Sequence, residues 1–262
     1  MKRGLGALAL TLLLAACGGT SPPPAQPSAD ATPAATAMPA GTYTSTVFQP
    51  AVTYTVPDGW VVVGDSPKSF QLAPAGNEVD GIYLFRDVSA ASQDPSCPDQ
   101  AEPGIGKTSS DLVSWIRGLP GLTVSNPAMA TVGGLPATSI DAGIKDGWKQ
   151  SCPFTKSPTV ALFYGGEEGY RWVVYGTERL RLYVADLPGG GTVVVNIDTV
   201  DGPYIDQLIA QALPIVRSMT FATDATASPA ASAAPASAAP SPAASPAASA
   251  APASAAPAST AP

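Results

Sequence analysis

Between Thr42 and Ala222 the chain is a succession of short apolar and alternating runs broken by turn residues. Tyr43 to Gln49, Val52 to Val56, Trp60 to Val63, Ser69 to Ala73 and Gly81 to Val88 are rich in β-branched and aromatic residues. Pro50 and Pro57-Asp58-Gly59 punctuate them, which predicts five strands. Ser89 to Thr108 has no usable period and reads as a loop. The period then changes: Leu112, Trp115, Ile116 and Leu119 fall at i, i+3, i+4 and i+7, one apolar stripe of a helix. Ser109 or Ser110 is the expected N-cap, Asp111 suits the first turn, and Gly118 with Pro120-Gly121 ends the element.

Beyond the helix, Leu122 to Val124, Ala130 to Val132 and Ala137 to Ala142 read as strands around the turn Gly133-Gly134-Leu135-Pro136. Gly143 to Pro158 is loop-like. Thr159 to Tyr164, Tyr170 to Tyr175, Arg179 to Ala185 and Thr192 to Asp198 predict an antiparallel meander. A Gly176-Thr177-Glu178 turn in its middle hairpin would pair Tyr175 with Arg179 and Trp172 with Leu182. One face then carries Tyr170, Trp172, Val174, Leu180, Leu182 and Val184, and the other Arg171, Val173, Tyr175, Arg179, Arg181 and Tyr183. A last helix, with Ile205, Leu208, Ile209 and Ala212 on one side, runs from about Tyr204 to Leu213 and is expected to stop or kink at Pro214. Ser218 to Phe221 returns as an edge strand. The expected class is therefore α+β: a single domain, residues 42–222, with an antiparallel β-sheet packed by two main helices. All four tryptophans fall inside it, and its length is enough for one sizeable core.

The flanks differ in kind. Residues 17–41 and 223–262 are almost wholly Ala, Pro, Ser and Thr, and they cannot bury enough surface to offset ordering entropy. In the tail the recurring prolines oppose the helix that alanine favours. Both segments are expected to be disordered, one as a spacer and one as a solubilising tail, with O-glycosylation of the tail as the alternative.

Residues 1–16 have basic Lys2 and Arg3, an apolar run from Leu5 to Leu14 and small Ala15 and Ala16, the three parts of a secretory signal. Ten helical residues cover about 15 Å of a core about 30 Å thick, too little for a permanent span. Leu14-Ala15-Ala16-Cys17 resembles the lipobox of bacterial lipoproteins, in which the cysteine receives a diacylglyceryl group and becomes the new N-terminus. That resemblance implies an extracytoplasmic protein, anchored to the cell membrane by lipid at Cys17, or to an outer membrane in a two-membrane cell. The alternative is an ordinary signal followed by an incidental cysteine.

Charge narrows the function classes. The net charge is −7, and loss of Lys2 and Arg3 with the signal leaves 11 basic against 20 acidic residues. This balance argues against nucleic acid as a partner and against electrostatic adhesion to anionic lipid. With Cys17 lipidated, Cys97 and Cys152 remain, an even number for an oxidising compartment. A disulfide is the economical reading and two free thiols the alternative.

The catalytic inventory is short. The chain contains no histidine, which excludes a Ser-His-Asp or Cys-His site. Neither Gly-x-Ser-x-Gly nor Ser-x-x-Lys occurs. Ala101 to Thr108 fits a relaxed phosphate-loop spacing, but the residues before it are polar and turn-forming, so it reads as a loop that begins a helix. A carboxylate pair stays open among Asp58, Asp65, Glu78, Asp80, Asp141, Glu167 and Glu168, the last two between glycines, where they read as a solvated hairpin turn. Arg171, Arg179 and Arg181, interleaved with Tyr175 and Tyr183, form a candidate anion-binding face. The other reading is a polar sheet face with arginine stems lying over tyrosines. No cofactor and no metal site are expected.

Pro57-Asp58-Gly59-Trp60 after an N-terminal strand, a helix before Gly133-Gly134-Leu135-Pro136-Ala137, the meander, and a final helix running into Arg217-Ser218-Met219-Thr220-Phe221 together resemble bacterial lipoproteins of the PsbP-like fold, including the mycobacterial LpqN type. The resemblance implies an antiparallel sheet with packed helices and a range of accessory and protein-binding roles. The expected function is a non-catalytic binding or accessory module of the cell envelope, with an envelope protein or small ligand as partner. A carboxylate-dependent hydrolase and a wall-interaction spacer are the alternatives, and the oligomeric state stays open.

Overall fold

The computed structural model describes residues 36–165 and 171–222. The signal, Cys17, most of the spacer, the tail, Glu167-Glu168 and Tyr170 lie outside the described residues. The elements in chain order are β1 (Gly41–Thr44), β2 (Val52–Val56), β3 (Trp60–Asp65), β4 (Ser69–Pro74), β5 (Gly81–Arg86) and β6 (Ser89–Ala90), then α1 (Ser109–Gly118). They continue with β7 (Leu122–Val124), β8 (Ala128–Val132), β9 (Leu135–Ile144), β10 (Thr159–Tyr164), β11 (Arg171–Tyr175), β12 (Arg179–Asp186), β13 (Thr192–Thr199), α2 (Ile205–Ser218) and β14 (Thr220–Phe221). The α+β class and the two helices stand as read from the sequence.

Eight strands form the central sheet, in the order β3-β4-β5-β13-β12-β9-β7, with β8 also paired to β9. All its pairings are antiparallel. Two small sheets, β1-β2-β14 and β11-β10-β6, complete the strand set. Period-2 alternation divides the side chains of the central sheet between two cores. Phe70, Leu72, Ile82, Leu84, Val193, Val195, Ile197 and Tyr183 pack with α2 and the β1-β2-β14 sheet. Tyr83, Phe85, Val194, Leu180, Leu182, Val184 and Ile140 pack with α1 and the β11-β10-β6 sheet. Every residue of β13 is buried, as a strand covered on both faces must be.

The helices follow their sequence signals with two shifts. Thr108, one residue before the expected cap, is the N-cap of α1: its hydroxyl oxygen accepts the Asp111 N–H, and the Asp111 carboxylate accepts the Thr108 N–H in return. Thr108 of the phosphate-loop-like segment thus serves a capping box, and a Cβ on Gly106 would lie 2.1 Å from the Asp111 carboxylate. The second helix does not stop at Pro214 but runs on to Ser218. Pro214 and Ala210, whose carbonyl loses its helical donor, are both exposed, so water can satisfy that carbonyl, while the extra turn buries Ile215 and Val216 completely.

Two strand expectations are corrected. The first strand ends at Thr44 rather than Gln49, because the Asp65 carboxylate accepts the backbone N–H groups of Thr46, Val47 and Phe48 and draws that segment off the sheet. The Tyr175–Arg179 hairpin does not form. β11 pairs with β10, Thr159 opposite Tyr175, whereas β12 pairs with β13 and β9. Gly176, with φ 59°, and Thr177 carry the chain from one sheet to the other.

Gly81 shows how tight the central sheet is beside the site described below. A Cβ there would lie 2.2 Å from the Leu72 carbonyl oxygen and 3.1 Å from Ala73 Cα, both backbone atoms. Gly81→Ala is expected to lower stability by about 1–3 kcal/mol through overpacking. Urea denaturation measures it, and an unchanged midpoint would show that β5 can shift away from β4 at no cost.

Candidate functional site

On the α1 side of the central sheet, the small β11-β10-β6 sheet leaves β4 and the start of β5 uncovered, and an open cleft of about 550 Å³ lies there. Its wall is aromatic. Trp172 of β11 reaches back over β5, with its ring centroid 4.7 Å from that of Tyr83 and 5.0 Å from that of Phe85. Tyr83 and Phe85 are themselves stacked at 6.2 Å. The indole Nε1 of Trp172 is shielded from solvent and has no hydrogen-bond partner among the described residues.

At one end the cleft is acidic. Glu178, in the turn before β12, and Asp198, on β13, line it although their residues are only 2% and 3% exposed. Asp80, 4% exposed, stands beside them in the turn before β5. The Asp80 carboxylate accepts the Val200 N–H at 2.9 Å and the Asn77 side-chain amide at 2.8 Å. One Glu178 oxygen accepts the Tyr175 N–H at 2.9 Å. Asp198 Oδ2 accepts a long bond, 3.4 Å, from Asn196 Nδ2, whereas Asp198 Oδ1 and Asn196 Oδ1 meet no N–H or hydroxyl donor. The neighbour that Asp198 does have is the Glu178 carboxyl, within hydrogen-bonding reach. Two carboxylates cannot bond each other, so that contact requires a proton.

Electrostatics agree with a shared proton. Burial first, then the charge of Asp80, pushes Glu178 up to about 7, against hydrogen bonds from Asp198 and the Tyr175 amide that pull it down. Burial also raises Asp198 well above the carboxylate range, and the neighbouring Glu178 raises it further. The Tyr175 hydroxyl is raised by burial and by the same acids. Both shifts favour a proton held between the two carboxyls.

The other end of the cleft is built on the disulfide. Cys97 and Cys152 are bonded, with Cα atoms 5.6 Å apart. The loops they join surround Arg171, which donates to the Cys97 carbonyl, pairs with Asp99 at 2.6 Å and lies 4.8 Å from the centre of the Phe154 ring.

The arginine–tyrosine constellation is not brought together. Arg171 and Tyr175 are on β11, in a different sheet from Arg179, Arg181 and Tyr183 on β12. Arg181 makes a two-pronged pair with Asp141, at 2.6 and 2.8 Å, across the β12–β9 ladder. Arg179 bonds the Glu178 carbonyl, and Tyr183 is buried in the α2-side core. The groove next to Arg179 and Arg181 also presents Asp141, Asp146 and Asp206. Of the acids singled out in the sequence, Glu78 lines the cleft and Asp80 lies near Glu178, whereas Asp58 and Asp65 hold backbone amides elsewhere. Glu178 and Asp198 were missed. The signal for Asp198 is legible in retrospect: on the α1 side of β13 Val194 is followed by Asn196 and Asp198, an amide and a carboxyl in a strand that is wholly buried.

Among the described residues no group of three His, Cys, Asp or Glu side chains has the geometry to hold a metal ion, and no helix is long and apolar enough to cross a membrane. No family model matches the chain, and no curated protein does. Among solved structures it is similar to the cyanobacterial PsbP protein CyanoP of Synechocystis, at 10% identity and TM-score 0.36, over 70% of this chain and 94% of that one. It is also similar to LpqN of Mycobacterium tuberculosis, a protein involved in cell envelope biogenesis, at 16% identity and TM-score 0.32, over 71% of this chain and 89% of that one.

Proposed function

We propose that the chain is a lipid-anchored, extracytoplasmic binding module, held to the membrane at Cys17 and presenting the cleft beside β11 as its ligand site. The single observation that carries the reading is the cleft itself: an aromatic wall whose Trp172 Nε1 meets no acceptor, and a buried pair of acids in contact, with Asp198 Oδ1 meeting no N–H or hydroxyl donor among the described residues. Buried polar atoms are nearly always satisfied, so an unsatisfied set lining an open cleft is what a ligand site looks like before its ligand arrives. The anchor is supported by Leu14-Ala15-Ala16-Cys17 following an apolar signal run. Stable attachment takes two or more acyl chains, at about 0.8 kcal/mol per buried CH₂.

The anchor has a direct test. Cys17→Ser is expected to release the protein from the membrane fraction or leave the signal uncleaved, while the wild type fractionates wholly with membranes. Unchanged fractionation and processing would contradict it.

A second reading, favoured by the carboxyl–carboxyl contact, is a hydrolase in which the acid pair, holding one proton, activates a water molecule. Glycoside cleavage does not suit the pair: its carboxyls touch, whereas flanking a glycosidic bond takes a separation of about 5 Å or more. Turnover of ester or peptide substrates that is lost in Glu178→Gln would establish the hydrolase, and its absence across a broad panel would leave the binding module.

A further inference from the structure

The acidic end of the cleft is specific enough to name the chemistry it takes, provided that the cleft is the ligand site. Asp198 is 3% exposed, lines the cleft beside the Glu178 carboxyl, and its Oδ1 meets no N–H or hydroxyl donor among the described residues. Asn196, two residues along the same face of β13, is fully buried and also keeps its acceptor oxygen unpartnered. The two oxygens left open beside the pair, Asp198 Oδ1 and Asn196 Oδ1, are both acceptors. Among the described residues no lysine lines the cleft, and the Arg171 guanidinium that does is engaged by Asp99 and by the Cys97 carbonyl. Arg171 and Tyr175 are also four residues apart along β11, about 13 Å at strand rise. The groups facing Glu178 are Asp198 from β13, Asp80 from the turn before β5 and Tyr175 from the end of β11; the nearby Arg179 guanidinium is spent on the Glu178 carbonyl. What the acids lack is a compact cation with several donors. Next to them, Trp172, Val79 and Val200 supply an apolar wall.

We infer that the cleft recognises a primary ammonium group carried on an apolar stem, the ammonium seated against Glu178 and Asp198 and the stem lying along Trp172 and Val79. An ammonium offers three donors on a point charge, which suits acceptors converging from two strands better than a planar guanidinium does. In binding, the acid pair releases its shared proton to solvent and the ligand keeps its own, so the charge of the pair goes from −1 to −2 and is balanced by the ligand. Affinity consequently rises with pH as the shared proton becomes easier to lose, up to the pH at which the amine itself deprotonates, about 10.4.

The test uses the full chain, n-hexylammonium and, as the matched neutral probe, n-hexanol, followed by two-dimensional NMR of amide and indole N–H groups. Hexylammonium is expected to shift the Trp172 indole and the Tyr175 and Asp198 amides saturably, with affinity increasing about tenfold from pH 6 to pH 8. Hexanol is expected to bind at least about tenfold more weakly at pH 8, and Glu178→Gln and Asp198→Asn each to lose at least about tenfold in hexylammonium affinity. Equal binding of the two probes, an affinity independent of pH, or unchanged affinity in both variants would overturn ammonium recognition while leaving the cleft as a site. If neither probe moves the cleft resonances, the cleft itself is not the ligand site. The probe comparison and the pH series need no variant, so a substitution that fails to fold does not remove the test.

Discussion

Replacing Cys97 and Cys152 with serine is expected to destabilise the domain by about 4 kcal/mol. The bridge spans a sequence separation of 55 residues, and in the chain-entropy account a loop of that length corresponds to about 4 kcal/mol at 25 °C. Both half-cystines are buried, at 8% and 2% exposure, so the serine hydroxyls would also lie in a poorly hydrated site. The effect is not confined to the loops. Arg171 is anchored by the Cys97 carbonyl, by Asp99 and by the Phe154 ring, all on the two segments the bridge joins. Loosening them frees one end of β11 and with it the strand that carries Trp172 over the cleft. Urea denaturation of the double variant, with the Trp172 indole resonance as a local probe, measures both consequences. A loss below about 1 kcal/mol would mean that the loops are held by their other contacts.

The second large effect is a fall in stability with rising pH. Glu178 goes from an ordinary value of 4.5 to about 7 in the folded protein. Between those values the folded state binds more protons than the unfolded state, so the slope of unfolding free energy against pH is negative. The stabilising contribution of the protonated carboxyl is complete below about 4.5, and it is lost as pH rises through about 7. Its full extent for this one group is on the order of 3 kcal/mol, and Asp198, raised in the same direction, adds to the sign. Urea midpoints are accordingly expected to be higher at pH 5 than at pH 8. Glu178→Gln is expected to flatten that dependence, because a neutral amide replaces the group that titrates. Stability rising from pH 5 to pH 8 would show that the acids are solvated rather than buried.

The elements were largely legible in the sequence, and their partners were not. Thr159–Tyr164 and Val52–Val56 are the strands that composition predicts, to the residue, because each is a β-branched and aromatic run bounded by turn residues. The wrong hairpin shows the limit. Apolar alternation across Tyr175 and Arg179 is satisfied equally well by two strands in different sheets that bury the same Trp172, Val174, Leu180 and Leu182 side chains in one core. Pattern fixes which face of a strand is buried; it does not say which strand lies beside it. Pro214 misled for a related reason. Its local cost, about 3 kcal/mol, is set against the burial of Ile215 and Val216 by strands distant in sequence.

The site was harder to see than the fold. Glu178 looks like an exposed turn residue until the chain is seen to leave one sheet for another there, which buries it with its carboxylate on the Tyr175 N–H. Asp198 looks like the polar end of an apolar strand until β5 and β12 close on either side of it, with Gly81 and Leu180 as its partners. Neither position contains its own environment. The disulfide was open to cysteine counting because its reasoning needs only the number of thiols and the compartment, whereas the acid pair depends on three-dimensional neighbours.

Selective ¹³C labelling of glutamate side chains, with the Glu178 carboxyl signal assigned by its loss in Glu178→Gln, follows the ionisation of that group directly. A midpoint near 7 is the result expected for a buried carboxyl sharing a proton with Asp198 at the end of a ligand cleft. A midpoint at the ordinary value of 4.5 would contradict it and, with it, the assignment of this cleft as the site.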